Sequence, residues 1–206
     1  MNDRGGIEAD LTVSRLDETN FHVITSISSL MRDWSYLNDN LMTDTFAEDV
    51  TLKFGCLSVQ GPNSRMLLQE ITDTNLANDE FAFGTGQYSK LANENVWIQK
   101  LSYVGELGWE IFAPSEHMLK IYRTIQTQGK KYNLCNVGLH AVNSLRLEKG
   151  YRHWGHDIAA EDSLIEAGLS GAAKPDRSDF IGKDAYRTEL SNGVPSRRLV
   201  QFKLED

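Results

Sequence analysis

Residues 144–157 read Ser-Leu-Arg-Leu-Glu-Lys-Gly-Tyr-Arg-His-Trp-Gly-His-Asp (SLRLEKGYRHWGHD). Leu139, Val142 and Leu145 recur three apart just upstream and within it, and predict a helix over 138–149 with one buried face. Lys149 in the last turn suits the helix dipole, and Gly150 is placed as a left-handed stop. Tyr151, His153, Trp154, Gly155, His156 and Asp157 then follow in a loop. Hydrogen-bonding aromatics delivered by a packed helix can wall a pocket. Equally, Tyr151 and Trp154 can plug the end of a core.

Working upstream, 114–129 predicts a helix opened by Pro114-Ser115, with Met118, Leu119, Tyr122 and Ile125 on or near one face. Before it, 103–108 is a tight reversal between strands at 96–103 and 109–113, and 87–91 is a further strand joined through a turn at 93–95. The stretch 73–86 is loop-like, with Leu76, Phe81 and Phe83 expected inside. Gly61-Pro62 opens a helix whose buried side is Met66, Leu67 and Ile71, after a strand at 54–59. Strands at 11–16 and 21–24 form a hairpin around Asp17–Asn20, and Ser28 or Ser29 caps a helix with Leu30, Trp34, Leu37 and Leu41 as its stripe. Downstream, 158–180 is mostly loop, 182–190 is a short helix, and 197–206 has a strand pattern. Hairpins alternating with amphipathic helices predict an α+β fold, mostly antiparallel sheets with packed amphipathic helices.

Composition narrows the function classes. The chain has 206 residues, 40% apolar and 24% charged, with a formal net charge of −8. Phosphate neutralisation needs clustered Lys and Arg, so no nucleic-acid partner is expected. No run approaches the ~18 apolar residues of a membrane helix, and MNDRGGIEAD holds no apolar signal core, so no membrane partner is expected either. Cys56 and Cys135 lie far apart without a metal-type spacing and are expected to be free buried thiols in a reducing cytosol rather than a disulfide.

Four stretches occur in order: NDRGGIEADLTV at 2–13, SYVGELGWEIFAP at 102–114, LRLEKGYRHWGHD at 145–157 and FIGKDA at 180–185. Together they resemble the glycine-cleavage T-protein (aminomethyltransferase) superfamily. Within it the chain is most similar to the folate-binding, T-protein-like domains attached to dimethylglycine and sarcosine dehydrogenases. The resemblance runs across nearly the whole chain and implies a partial T-protein-like fold. Residues 1–52 would be the tail of one α+β domain, 53–160 a second α+β domain, and 161–206 a segment leading to a C-terminal β-barrel. The Gly5-Gly6 turn so near the start and the unpartnered strand pattern at the end add the expectation of a fragment, lacking an N-terminal part and that barrel.

Three residues are the candidates for chemistry. Asp10 follows the Gly-Gly turn. From the residues alone it is either a rigidly held carboxylate that accepts a proton or stabilises a developing cation, or a turn aspartate bonded to nearby amides. The resemblance implies the catalytic reading, because the family's GG-x-x-x-D motif sets an aspartate beside the amine nitrogens of tetrahydrofolate. Glu8 is a rival for the same task. Tyr103 and Glu110 flank the Gly105–Gly108 reversal, where Glu110 can accept a fork of donors or simply sit on the wet face of a hairpin. The resemblance implies that both bind folate.

Departures from the family pattern matter too. Val142 stands where many T-proteins have a folate-holding arginine, and Arg146 does not replace it; Arg146 is expected to pair with Glu148 or a neighbouring strand. The region SDFIGKDAY lacks the cysteine of the iron–sulfur-assembly branch. His153-x-x-His156 with Asp157 sits on a loop that gives no helix to align the rings, so no metal site is expected.

The resemblance implies a transferase moving a one-carbon (aminomethyl or methylene) unit from a methylamine-type substrate to tetrahydrofolate. The alternatives are a non-catalytic folate-binding or assembly module, or a fragment inactive on its own. Small-molecule amine and folate are the expected partners, with FAD only if a missing flavin domain or partner subunit supplies it. The expected location is cytoplasmic, or the mitochondrial matrix for a eukaryotic parent.

Overall fold

A computed structural model describes residues 1–176 and 179–204. In chain order the main elements are β1 (Thr12–Arg15), β2 (Phe21–Ile24), α1 (Leu30–Asp39), β3 (Phe54–Gln60), α2 (Ser64–Gln69), β4 (Gly86–Leu91), β5 (Glu94–Gln99), β6 (Gly108–Pro114), α3 (Ser115–Gly129), α4 (Leu139–Glu148) and α5 (Lys183–Ser191). The chain divides into two compact units: 1–12, 23–37 and 152–206 form unit 1, and 13–22 and 38–151 form unit 2. The mixture of helices and antiparallel sheet is the α+β class read from the sequence.

Unit 2 is built on a four-stranded sheet in the order β3-β6-β5-β4, antiparallel throughout. Side chains alternate across a strand, so Val59, Val96, Ile98, Trp109, Ile111 and Ala113 share one face and are buried in a cluster with Leu67 and Leu68 of α2 and Ile121 and Ile125 of α3. Each fully buried aliphatic here contributes about 1.5–3 kcal/mol of hydrophobic stabilisation. β4 and β5 are joined by two left-handed residues, Ala92 (φ 55°) and Asn93 (φ 65°), between the paired Leu91 and Glu94. This two-residue hairpin turn lies earlier than the Asn93–Asn95 turn predicted. β5 also stops at Gln99 rather than Tyr103. There the chain bends: the Lys100 N–H donates to Thr85 O at 2.9 Å, and its buried ammonium donates to Asn78 Oδ1 and Phe81 O, both at 2.8 Å.

Unit 1 has its own core of Ile7, Ile158, Leu164, Ala167 and Tyr186. Gly6 bridges to Ser163, and the Ile7 N–H donates to Asp162 O at 2.9 Å. A Cβ on Gly6 would stand 1.9 Å from Ala160 O, so only glycine lets the two segments approach this closely. α5 supplies Tyr186, whose hydroxyl donates to Ser170 O at 2.8 Å.

Several expected burials are overturned. Leu139 is 87% exposed, and the buried residue of α4 is Arg146. Arg146 folds back on the end of its own helix, donating to Asn143 Oδ1 and, at 3.0 Å, to Tyr151 O. The α4 stop is as read, with Gly150 at φ 71°. Met66, Phe83 and Leu119 are exposed, while their neighbours Leu68 and Ile121 are buried. In each case the pattern gave a helix or loop its apolar residues but not the side on which the sheet would lie. In α1 the buried residue is Asp33, held by Thr25 and by Arg32 Nε at 2.9 Å. Cys56 and Cys135 are free, as expected, but both are exposed. Residues 197–204 form no strand; the Leu199 N–H makes one bond, to Glu166 O at 2.9 Å. A strand needs a ladder partner along its length, and the last two residues of that expected strand, 205–206, lie outside the described residues.

Candidate functional site

In unit 1, the Gly5-Gly6 turn is closed by Asn2. Its Oδ1 accepts the Gly6 N–H at 2.9 Å, and its Nδ2 donates to Ala160 O at 3.0 Å and to Glu8 Oε2 at 3.1 Å. That last bond separates two rivals: the Glu8 carboxylate is engaged by Asn2, whereas the Asp10 carboxylate accepts no hydrogen bond among the described residues. Asp10 remains open to solvent, yet the protein atoms around it push its carboxyl above the usual carboxylate range, and the neighbouring His153 draws it partly back. Its environment is the opposite of that of Asp17, which accepts the Thr19 and Asn20 N–H groups, each at 2.9 Å. The Thr19 amide first, and then Asn20, hold the Asp17 carboxyl below its usual range. Asp17 is thus a turn aspartate bonded to nearby amides.

The loop after Gly150 contributes the rest of the unit 1 group. His153 O accepts the Asp157 N–H at 2.9 Å, Asp157 Oδ2 accepts the His153 N–H at 2.9 Å, and Gly155 turns at φ 87°. The Trp154 indole donates to Ile7 O at 2.8 Å, and the Arg32 guanidinium stacks 3.4 Å over its ring. Ile7 is thus pinned through both its N–H and its C=O, three residues before Asp10. The His153 and His156 rings lie 4.5 Å apart, tilted by 51°. Among the described residues no group of three or more His, Cys, Asp or Glu is placed to hold a metal.

In unit 2, Tyr103 and Glu110 lie on the reversal and strand that follow β5. Tyr103 meets Tyr151 edge to face, with ring centroids 6.2 Å apart. The Gly105 turn, at φ 69°, rests on the stem of Lys149, where a Cβ would come within 2.5 Å of Lys149 Cγ. The Lys149 ammonium stands 3.5 Å from Glu106 Oε1, which gives Glu106 a partner in the turn. The stretch 144–157 therefore supports the reversal through Lys149 and Tyr151, in addition to its own loop.

Glu110 projects from the sheet face opposite the helices. The register sets Ser58, Glu110, Gln99 and Gly86 in one row across the sheet, and Cys56, Phe112, Trp97 and Tyr88 in the next. The strands of the β1–β2 hairpin lie against this face: Ser14 Oγ donates to Gln99 Oε1 at 2.7 Å, and the His22 ring meets Phe112 edge-on at 5.1 Å. Gln99 Nε2 donates to Glu110 Oε2 at 2.8 Å. Cys56 is reachable at its surface yet crowded. Burial first and the Glu110 carboxylate second push its thiol up to about 12, so it stays neutral. Gln99, Ser14, Trp97 and Cys56 have no motif to mark them; the strand register sets Gln99, Trp97 and Cys56 around Glu110, and the hairpin adds Ser14.

Residues 1–177 match the family described as the GCVT N-terminal domain. The chain is 36% identical to mitochondrial sarcosine dehydrogenase of Mus musculus over an alignment covering 100% of this chain and 24% of that protein. It is 34% identical to an aminomethyltransferase of Halothermothrix orenii, covering 98% of this chain and 56% of the relative. Among solved structures, the glycine cleavage system aminomethyltransferase T from Bartonella henselae superposes with a TM-score of 0.79 at 26% identity, covering 94% of this chain and 52% of that one. The chain spans about a quarter of the dehydrogenase and about half of the aminomethyltransferases.

Proposed function

This chain belongs to the GCVT N-terminal domain family, and from that membership we propose that it serves folate-dependent one-carbon transfer from a methylamine-type substrate. The observation that carries the reading is the state of its carboxylates. Asp10 is crowded and raised and accepts no hydrogen bond among the described residues, while Glu8 and Asp17 beside it in sequence are engaged by Asn2, Thr19 and Asn20. A carboxylate left without internal donors is suited to a ligand amine, whose proton it accepts or whose developing positive charge it stabilises.

The donor chemistry of unit 2 fits a pterin. Glu110 has Oε2 held by Gln99, and its Oε1 accepts no hydrogen bond among the described residues, which leaves it for the N–H edge of a heterocycle. Tyr103 offers an aromatic ring at 39% exposure. Tetrahydrofolate would supply the amine nitrogens that take up the one-carbon unit. The residues of this chain would position the reacting amine and shield a hydrolysable intermediate from water. FAD is proposed only for a further domain or partner subunit. The domain limits near 52 and 160, a cytoplasmic location, and a matrix location in a eukaryotic parent are proposed on the same resemblance; the mouse relative is named as mitochondrial.

A non-catalytic folate-binding module is the second reading. It is favoured by Val142, where many T-proteins hold folate with an arginine. Calorimetric titration of the chain with tetrahydrofolate, anaerobic and reducing, tests the folate site: saturable binding that falls at least about tenfold in Glu110→Ala is expected. In the whole protein, Asp10→Ala should cut transfer by about 10²–10⁴-fold while folate affinity stays near that of the unmodified protein. Equal losses of transfer and binding would favour the module.

A further inference from the structure

Gln99 is 1% exposed, the most enclosed polar side chain described in unit 2. Its amide joins three partners. Trp97 Nε1–H donates to Oε1 at 3.1 Å, Ser14 Oγ–H donates to the same oxygen at 2.7 Å, and Nε2–H donates to Glu110 Oε2 at 2.8 Å. An indole N–H can only donate. It therefore fixes which end of the amide faces Trp97, and by elimination which end faces Glu110. The chain runs in one direction, and its last member must be an acceptor.

The backbone is shaped for this arrangement. Gly86 lies opposite Gln99 in the ladder, and a Cβ there would stand 2.6 Å from the Trp97 ring. The indole can lie over the neighbouring strand and reach the amide because residue 86 has no side chain. The neutral Cys56 thiol adds no second anion beside Glu110.

We infer that Gln99 is the positioning residue of the Glu110 site: it holds one carboxylate oxygen, turns the other towards the ligand, and so selects ligands that offer N–H donors over those that offer only acceptors. Naming a pterin as that ligand rests on the folate reading above; the positioning itself does not. An amide held by two donors cannot rotate to suit a ligand presenting a carbonyl, because its Nε2 would lose its acceptor inside the protein.

The first test needs no ligand. In ¹H–¹⁵N spectra of the 206-residue chain, the Trp97 indole N–H should exchange slowly with solvent, and Gln99→Leu should abolish that protection. An indole N–H that behaves alike in both proteins overturns the inference. The second test is titration with tetrahydrofolate, then with pterin and with lumazine, which has a carbonyl in place of pterin's amino group. Gln99→Leu should weaken tetrahydrofolate binding about tenfold or more, erase the preference for pterin over lumazine, and add nothing in a Glu110→Ala background. Unchanged affinity, an unchanged preference, or additive losses overturn it. If Gln99→Leu does not fold, Ser14→Ala and Trp97→Phe, each removing one donor, should show the same loss of preference in smaller measure. A protected indole in a chain that binds no tetrahydrofolate would remove the folate reading and leave the positioning standing.

Discussion

Along β6, Trp109, Ile111 and Ala113 are fully buried on the side of α2 and α3, while Glu110 and Phe112, one residue out of phase, look across to Cys56, Ser58, Trp97 and Gln99. The helix side is apolar and close-packed. The other side is a mixed polar and aromatic surface against the strands of the β1–β2 hairpin. With a side-chain period of two, stability and recognition are written on alternate residues of one strand, and a one-residue slip would exchange them. This teaches that adjacent substitutions in β6 should have unlike consequences.

The largest contrast is at positions 109 and 110. Trp109→Ala should cost about 3–5 kcal/mol in urea unfolding, as a cavity in a packed core. Glu110→Ala should cost about 1 kcal/mol, chiefly through the Gln99 Nε2–H left without its acceptor, although it removes the proposed ligand contact. Similar losses at both positions would mean that the two faces are not as distinct as the register makes them.

Cys56 probes the polar face chemically. Iodoacetamide should modify it at least about a hundredfold more slowly in the folded chain at pH 8 than after unfolding, because the thiolate is the reacting species. The sign for stability follows from the raised value. What Cys56 contributes is intact below its ordinary 9.0 and is lost as pH rises towards about 12. Folded-state modification at the unfolded rate would place Cys56 outside the crowded face.

The smallest effects come from the two aspartates. Asp17 is held low, so its contribution is present above its ordinary pKa and is lost as pH falls through its folded value; Asp17→Ala should lower Tm at pH 7. Asp10 is raised, so ionising it opposes folding; Asp10→Asn should raise Tm slightly at pH 7. The Asp10 difference should vanish once pH falls well below the ordinary carboxylate value, and the Asp17 difference should shrink only as pH falls through its lowered folded value. A fall in Tm for Asp10→Asn would assign Asp10 to structure.

How far the sequence foretold this depends on the range of the interaction. β2, the Asp17–Asn20 turn, α5 and the Gly150 stop rest on neighbours in sequence and were legible. The buried sides of α2 and α3 were legible in part: Leu67 and Ile125 pack, whereas Met66 and Leu119, apolar like them, are exposed, as is Leu139 of α4. Glu8 is the weaker rival of Asp10 in the sequence, and the Asn2 bond to its carboxylate sets the two apart in the structure. Gln99 gave no sign, since its role needs the β5–β6 register and a serine 85 residues away. The candidate residues Asp10, Tyr103 and Glu110 were named through resemblance, and their roles rest on the experiments above.

The bond from Ile7 to Asp162 and the bridge from Gly6 to Ser163 have a consequence in time. A ribosome must make more than 150 further residues before Gly6 and Ile7 can meet Ser163 and Asp162, whereas the sheet of unit 2 and the helix that follows it lie within 54–129. Contacts that close long loops form late, so unit 2 should gain hydrogen-exchange protection first in a pulse-labelled refolding experiment. Residues 6 and 7 would gain their protection only once 162 and 163 are in place, which makes their pairing a late event of folding.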